Sequence, residues 1–595
     1  MARKYLLTTL GCKVNQYESQ QLRETLESAG FEPAGESDHP DVALVNTCAV
    51  TGSASRKSRQ AVRRVSRKGR IPVIVVGCGA SADADRLRGV DGVIAVLGHD
   101  VDVCSAVRRL LTHRESDAAA DERAGQHERP LGTAQFVDLR IANSGPATAA
   151  QSSVATDPPH SGPGDRRSQS TLEQSPDVRR YEEWMKPAGS PPGYAASTSQ
   201  TAKLPTNHMA VALPVVKDSR SFVARIHSFA GHQRAFLKVQ DGCDAYCSYC
   251  IIPRLRPSPR SKPIDVAVAE AKDLVRAGHK EIILTGVFLG AYGRETALRR
   301  RWKNTGSPLA VLVQSLARIE GLERLRLSSL EPGDVDDALL ETLASFTCCV
   351  PHLHLPLQSG SERILNRMNR QYTVEAYLDM IDRVRRVLDE PAISTDIIVG
   401  FPGERESDFE GSLEVARSAE FCKIHAFPFS AREKTAAARW RREFVGGEVA
   451  RERMQRLLEV ETECSLRYRQ RLIGRVERVI VEDAAETKAG VGRDPVGDGA
   501  VACGRTDRYF MAHFAGNGLC PGDVVSVRID RVIPNRTTGT CMCRSDPEAT
   551  VSRPDSKTDA VATFVAPSVV AARPRSVVTP LPLRDEPGSG QPERG

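Results

Sequence analysis

Short apolar runs alternate with longer stretches whose apolar residues recur every three to four positions. Near the N-terminus, Tyr5–Thr9, Asp41–Asn46, Pro72–Val76 and Gly92–Leu97 read as strands, and Ser19–Ala29 and Ala54–Lys68 between them read as helices. That alternation predicts a parallel, doubly wound sheet over residues 1–111. The pattern then fades. Residues 112–233 are rich in Ala, Ser, Pro, Gly, Gln and Asp and read as a disordered linker, although its last part, His208–Ala230, is apolar enough to pack on a neighbour. Six strand-like runs follow: Ala235–Val239, Glu281–Val287, Arg324–Leu330, His352–Leu357, Ile393–Val399 and Lys423–Phe429. Helical patterns separate them, which predicts a partial (β/α)6 barrel over 234–446 with function at the C-terminal ends of its strands. A charged helix at 447–471 leads to short β-like runs punctuated by glycine, read as a small all-β barrel at 472–544. The polar, Pro-rich stretch 545–595 reads as a disordered tail. The fold class expected is therefore α/β, with a C-terminal all-β barrel.

Composition narrows this little. The chain has 595 residues, 40% hydrophobic and 26% charged, as expected for a soluble protein of several domains. No apolar run reaches the length of a membrane span, and the N-terminus enters a strand without the apolar core of a signal peptide. A cytoplasmic location and no membrane partner are expected. In that reducing compartment the 15 cysteines are ligands or buried thiols rather than a disulfide framework. The net charge of +7 is compatible with a nucleic-acid partner and does not demand one.

The chemistry-bearing signals are cysteines. Cys243, Cys247 and Cys250 form a C-x3-C-x2-C loop directly after a strand. Thiolates are soft ligands suited to iron–sulfur clusters, and three on one loop would leave one iron open. The alternative is a zinc knuckle, for which His232 is the obvious fourth ligand, or three core thiols. A second set, Cys12, Cys48 and Cys78, is scattered in sequence, yet each cysteine follows a predicted strand, and a parallel sheet gathers such positions on one edge. They are either a second cluster site or three buried small hydrophobes. Further strand-end loops offer Glu331, Gln358-Ser359-Gly360 and the Asp396–Glu404 segment with its Gly400-Phe-Pro-Gly403 turn.

The C-x3-C-x2-C loop with Tyr249 before its last cysteine resembles the radical S-adenosylmethionine (SAM) superfamily. The resemblance implies a [4Fe–4S] cluster that binds and cleaves SAM, with Tyr249, Glu331, Asp396, Gly400 and Gly403 near the cofactor. Thr9–Ser19, Val45–Thr51, Val76–Cys78, Glu281–Gly286 and His352–Ser361 together resemble the methylthiotransferases within that superfamily. Such enzymes carry a second [4Fe–4S] cluster, here on Cys12, Cys48 and Cys78, and a C-terminal TRAM domain. Leu10–Asn15 and Arg367–Thr373 look most like the subgroup that adds a methylthio group to C2 of N6-threonylcarbamoyladenosine at position 37 of tRNA. That implies a tRNA anticodon loop and an electron donor as partners. Isopentenyladenosine tRNA, a ribosomal protein, or a non-catalytic RNA-binding role for a decayed site are the alternatives.

Two features bear on RNA. Arg56–Arg70 has eight basic residues and no acidic one, and Arg505, Arg508, Tyr509 and Phe510 in the small barrel make a basic-aromatic mix suited to single strands. Pro257, Phe288, Gly79-Ala-Ser81 and Ala431–Thr435 depart from the family pattern.

Overall fold

The computed structural model describes residues 3–35, 38–67, 71–99, 101–109, 222, 224–302, 306–485, 501–516 and 518–542. The expected tail and most of the expected linker lie outside the described residues.

The first layer is a five-stranded parallel sheet. Its elements are β1 (Arg3–Thr9), α1 (Lys13–Ser28), β2 (Phe31–Pro33), β3 (Val42–Thr47), α2 (Gly52–Arg67), β4 (Val73–Gly77), α3 (Cys78–Ala82), α4 (Ala84–Arg88) and β5 (Val93–Leu97), with strand order β2-β1-β3-β4-β5. β3 and β4 are buried along their whole length, as their unbroken apolar runs require when helices cover both faces of a parallel sheet. The short edge strand β2 is absent from the sequence reading, since three residues carry no periodicity.

Of residues 222 and 224–233, placed in the linker by composition, three apolar side chains pack inward while most of the others are exposed. Phe222, Ile226 and Phe229 are buried, and the Ala224 carbonyl accepts from the Tyr17 hydroxyl at 3.3 Å.

The central unit runs β6 (Arg234–Asp241), α5 (Ile252–Leu255), β7 (Arg260–Ser261), α6 (Ile264–Arg276), β8 (Glu281–Gly286), α7 (Pro308–Ala317), β9 (Arg324–Leu327), α8 (Asp337–Ser345), β10 (His352–His354), α9 (Glu362–Arg367), α10 (Val374–Val387), β11 (Ala392–Val399), α11 (Glu406–Ser418) and β12 (Lys423–Pro428). β6, β8 and β9 pair in parallel, as do β10, β11 and β12. A bridge between Leu325 and Cys349 joins the two ribbons into an open barrel wall of six parallel strands. Alternate residues such as Leu237, Leu284, Leu325, Leu353, Ile393 and Ile424 point outward into one core shared with the helices. Their neighbours therefore line the lumen.

The helix α12 (Gly447–Gln470), about 36 Å long at 1.5 Å per residue, packs on β12 and α11 and reaches the last unit. There β13 (Val476–Ala485), β14 (Val501–Thr506), β15 (Met511–Ala515), β16 (Val524–Ile533) and β17 (Arg536–Cys541) close a barrel in the order β13-β14-β15-β17-β16. No helix among the described residues is long and apolar enough to cross a membrane.

The β14–β15 turn departs from its sequence reading. It does not face outward toward RNA. Arg324 donates to the carbonyls of Arg505 and Thr506 at 2.9 and 2.7 Å, and Arg326 donates to that of Asp507 at 2.9 Å. Arg508 is buried on Glu477 at 2.6 Å, and Tyr509 stacks on His352. Phe510 packs against the core of its own barrel. The turn plugs the floor of the central lumen, so its basic and aromatic side chains are structural.

Candidate active site

The loop after β6 cannot form without glycine. Gly242 has φ +76°, and a Cβ there would sit 2.0 Å from the Ser258 carbonyl oxygen. Gln240, fully buried, donates to the carbonyls of Asp241 and Gly242 at 2.9 and 2.8 Å and accepts from the Phe288 N–H at 2.7 Å, stapling the loop to the end of β8. The segment after α9 clamps the other side. Ser248 N–H donates to the Met368 carbonyl at 3.0 Å, Ser248 Oγ to that of Arg367 at 2.7 Å, and Asn369 Nδ2 to that of Tyr246 at 3.1 Å. Cys243, Cys247 and Cys250 are thereby held together at the strand mouth. Cys243, Cys247, Phe288 and Trp302 all pack, partly buried, on a small apolar cluster of Ala245, Ala291 and Ala297.

Arg370 is the residue the sequence reading missed. Its guanidinium donates to Cys247 Sγ at 3.1 Å, to the Tyr249 hydroxyl at 3.3 Å and to Glu331. Glu331 also accepts from Arg299 at 2.8 Å. Burial pushes the Glu331 carboxyl up, but Arg370 and Arg299 outweigh it and hold the group below its ordinary range. Tyr249 packs edge-on against Phe401 of the Gly400–Gly403 turn, with ring centroids 6.4 Å apart. Tyr249, Glu331 and that turn thus gather around the three cysteines. The α-carbons of Gly400 and Gly403 face Ala450 and Glu443. Asp396 lies apart, deeper in the lumen and 3.3 Å from His354 Nε2.

The second trio occupies the C-terminal edge of the N-terminal sheet. Cys12 precedes α1, Cys48 follows β3 and Cys78 opens α3. Gly11, at φ +111°, lies so close to Cys48 that a Cβ would be 2.8 Å from Cys48 Cβ. Asn15 ties the edge together by donating to the carbonyls of Leu10 and Thr47 at 2.9 and 3.0 Å. Gly79, another departure, leaves no room for a side chain, because a Cβ would meet Thr47 Cβ at 2.7 Å. His99 Nε2 stands 3.4 Å from Cys78 Sγ. Burial pushes the Cys78 thiol up to about 12, with Arg256 opposing.

The two trios are neighbours. α3, which starts at Cys78, packs on α5, which follows Cys250, and Cys78 adds to the upward push that burial exerts on the Cys250 thiol. Arg256 locks the two units together, donating to Glu18 of α1 at 2.8 Å and to Asp241 at 2.7 Å.

The donor set suits an iron–sulfur group better than zinc. A tetrahedral zinc thiolate holds its sulfurs ~3.8 Å apart. Among the described residues, His354, Asp396 and His425 are the one set of three candidate ligands whose atoms all lie within 4.8 Å of one another, so both cysteine trios are wider than that. His232 is excluded as a fourth ligand. It precedes β6, whose eight residues, about 26 Å at 3.3 Å each, separate it from Cys243.

Residues 237–416 match the family described as Radical SAM superfamily, and residues 4–98 match Uncharacterized protein family UPF0004. The tRNA-2-methylthio-N(6)-dimethylallyladenosine synthase of Cereibacter sphaeroides is 30% identical over 546 residues, which are 90% of this chain and 98% of that relative. The threonylcarbamoyladenosine tRNA methylthiotransferase MtaB of Bacillus subtilis is 29% identical over 525 residues, 88% of this chain and 92% of that one. Among solved structures, the radical S-adenosylmethionine methyltransferase TsrM of Kitasatospora setae covers 74% of each chain at 14% identity, with a TM-score of 0.41. A radical-SAM enzyme by its central unit, the chain belongs to the methylthiotransferase family. A [4Fe–4S] cluster and SAM go with that family, and its named relatives act on tRNA.

Proposed function

We propose that this chain adds a methylthio group to C2 of N6-threonylcarbamoyladenosine at position 37 of tRNA. Cys243, Cys247 and Cys250 would hold the cluster that binds SAM, and Cys12, Cys48 and Cys78 a second cluster. The observation that carries the reading is the adjacency of the two trios: α3, which starts at Cys78, packs on α5, which follows Cys250. When bound, these groups would supply the carbon-centred radical and the methylated sulfur.

The chain's own residues do the rest. Gly242 and Gly11 let backbone close around each trio. Tyr249 and the Gly400–Gly403 turn offer an apolar and backbone surface for the adenosyl part of SAM, and Glu331, held ionised by Arg370 and Arg299, offers a carboxylate to its hydroxyl or amino groups. Phe288 and Trp302 share with Cys243 and Cys247 the apolar patch around Ala245, Ala291 and Ala297 that borders the first trio.

The threonylcarbamoyl substrate is supported by Leu10–Asn15 and Arg367–Thr373, the latter being the segment that clamps the cluster loop. The isopentenyl alternative draws support from the relative of Cereibacter sphaeroides. Anaerobic turnover of the reconstituted protein on tRNAs bearing one or the other base separates them. A 2-methylthio product is expected from the threonylcarbamoyl tRNA, and thiolation of the isopentenyl tRNA alone would reject the substrate. Cys247→Ala is expected to lose SAM cleavage along with half of the iron. Cys48→Ala is expected to lose the other half while still forming 5′-deoxyadenosine. Iron near zero in the wild-type protein, with tRNA binding intact, would favour the binding-protein reading.

A further inference from the structure

On β10, β11 and β12 the residues His354, Ser394, Asp396 and His425 share the lumen face, because Leu353, Ile393, Ile397 and Ile424 point into the helix-packed core. Asp396 stands directly opposite His425 in register, and His354 opposite Ser394. Ser394 Oγ lies 3.1 Å from His352 Nε2 and 3.0 Å from His354 Nδ1, and His354 Nε2 lies 3.3 Å from Asp396 Oδ2. His352 Nδ1 is buried without a partner. The tautomers that leave no buried N–H unpaired then follow. His352 Nε2–H donates to Ser394 and the Ser394 hydroxyl donates to His354 Nδ1, which leaves the proton of His354 on Nε2, 3.3 Å from Asp396 Oδ2.

This chain of hydrogen bonds stops at His354, whose Nε2 faces the Asp396 carboxylate, a group with no hydrogen-bond partner of its own among the described residues. Beside it the His425 imidazole, in edge contact with His354 at 5.7 Å between centroids, has no hydrogen-bond partner among them either. Both groups are half-buried, and both open into the lumen that descends from the cysteine mouth toward the Tyr509 floor.

We propose that His425 and the His354-ordered carboxylate of Asp396 form the wall that reads the N6 substituent of the target adenosine, and that the substituent they accept is a polar carbamoyl amino acid. It would give an N–H or O–H to Asp396 and place a carbonyl or carboxylate oxygen on His425. This rests on the methylthiotransferase reading above and adds the residues that choose between substrates. An apolar isopentenyl group in the same place would displace water from a carboxylate and an imidazole and return no hydrogen bond to either. Sites built to pair polar groups reject analogues that cannot pair by large factors. A divalent ion held by the three side chains, whose ligand atoms all lie within 4.8 Å of one another, is the rival occupant that the test detects.

The test uses the full-length, anaerobically reconstituted protein and tRNAs bearing threonylcarbamoyl- or isopentenyladenosine. His425→Leu is expected to raise KM for the threonylcarbamoyl tRNA by about tenfold or more. His425→Asn, which keeps an N–H, is expected to restore most of that loss. Iron content and thermal midpoint show whether each variant is folded. An unchanged KM in folded His425→Leu overturns the proposal, as does a stoichiometric metal beyond the cluster iron that the variant loses. A wild-type enzyme active only on the isopentenyl tRNA overturns both this inference and the substrate reading. A threonylcarbamoyl-specific wild type indifferent to His425→Leu overturns this inference alone.

Discussion

Tyr509 stacks on His352 with ring centroids 4.7 Å apart and 23° between planes, so a turn of the C-terminal barrel forms part of the central lumen. The contact is worth some backbone strain, because Tyr509 sits at φ +71°, a region bulky residues avoid. Arg234, Arg326 and Arg505 lie over the same ring at 5.8, 4.9 and 4.6 Å. Tyr509→Ala removes the stack and the cation–π contacts together and should destabilise the protein by about 2–3 kcal/mol. Tyr509→Phe, which keeps the ring, should cost less than half of that. Urea midpoints of the two variants check this, and equal midpoints would refute a floor role for the ring.

Arg370 ties Cys247, Tyr249 and Glu331 into one group. A guanidinium donating to a cluster-bound sulfur stabilises the more negative, reduced state. Arg370→Gln removes the charge and should move the reduction potential of the first cluster to more negative values, leaving that of the second nearly unchanged. Redox titration followed by electron paramagnetic resonance reads both. Arg370→Ala should also cost about 3–5 kcal/mol of stability, since it strands the buried Glu331 carboxylate with Arg299 alone.

The Glu18–Arg256–Asp241 group, with Lys238 2.7 Å from Glu18, joins the N-terminal sheet to the cluster loop. Burial alone would raise both carboxyl groups, but Arg256 and Lys238 overcome it and hold them well below the ordinary range. A depressed carboxylate stabilises the fold in full above its unfolded pKa, about 4, and loses that contribution as pH falls through the folded value. Stability should therefore be insensitive to these groups above about pH 5 and fall with acid below about pH 4. The Glu18→Gln variant should start less stable and lose less between pH 5 and pH 3. Denaturant midpoints measured across that range give the slope, and parallel slopes in wild type and variant would contradict the coupling.

Strands announced by unbroken apolar runs, such as Val42–Thr47 and Val73–Gly77, were legible to within a residue or two, and so was the convergence of Cys12, Cys48 and Cys78, because parallel-strand ends must share an edge. β17 was not legible. Its Arg-Thr-Thr-Gly-Thr-Cys run lacks alternating hydrophobes and is a strand because it pairs with β16 on one side and β15 on the other. Arg370 was hidden for a different reason. It lies 123 positions from Cys247, in a turn that looks like the frayed end of a helix. Arg508 and Tyr509 misled because a basic-aromatic turn has one composition whether it faces RNA or the lumen, and tertiary contacts alone decide.

With that turn buried, α2 remains as a cationic surface beside the strand mouth. Val62 and Val65 press its inner face on the sheet, and Arg59 is tied to Asp83 at 2.9 Å. Arg56, Lys57, Arg63, Arg64 and Arg67 are exposed and have no ion-pair partner among the described residues. The helix begins beside the strand mouth, where Gly52 N–H donates to Ser430 Oγ at 2.9 Å. A phosphate backbone entering the mouth would pass along this face. Each phosphate left without its cation should reduce the slope of log K against log salt by about 0.7–0.9. Arg63→Gln with Arg64→Gln should therefore weaken tRNA binding and flatten the salt dependence by about 1.5. SAM cleavage without tRNA should stay at the wild-type rate, because neither side chain touches the cysteines. Filter-binding titrations at several salt concentrations measure the slope, and a slope equal to that of the wild type would show that the helix is only a solvated charged face.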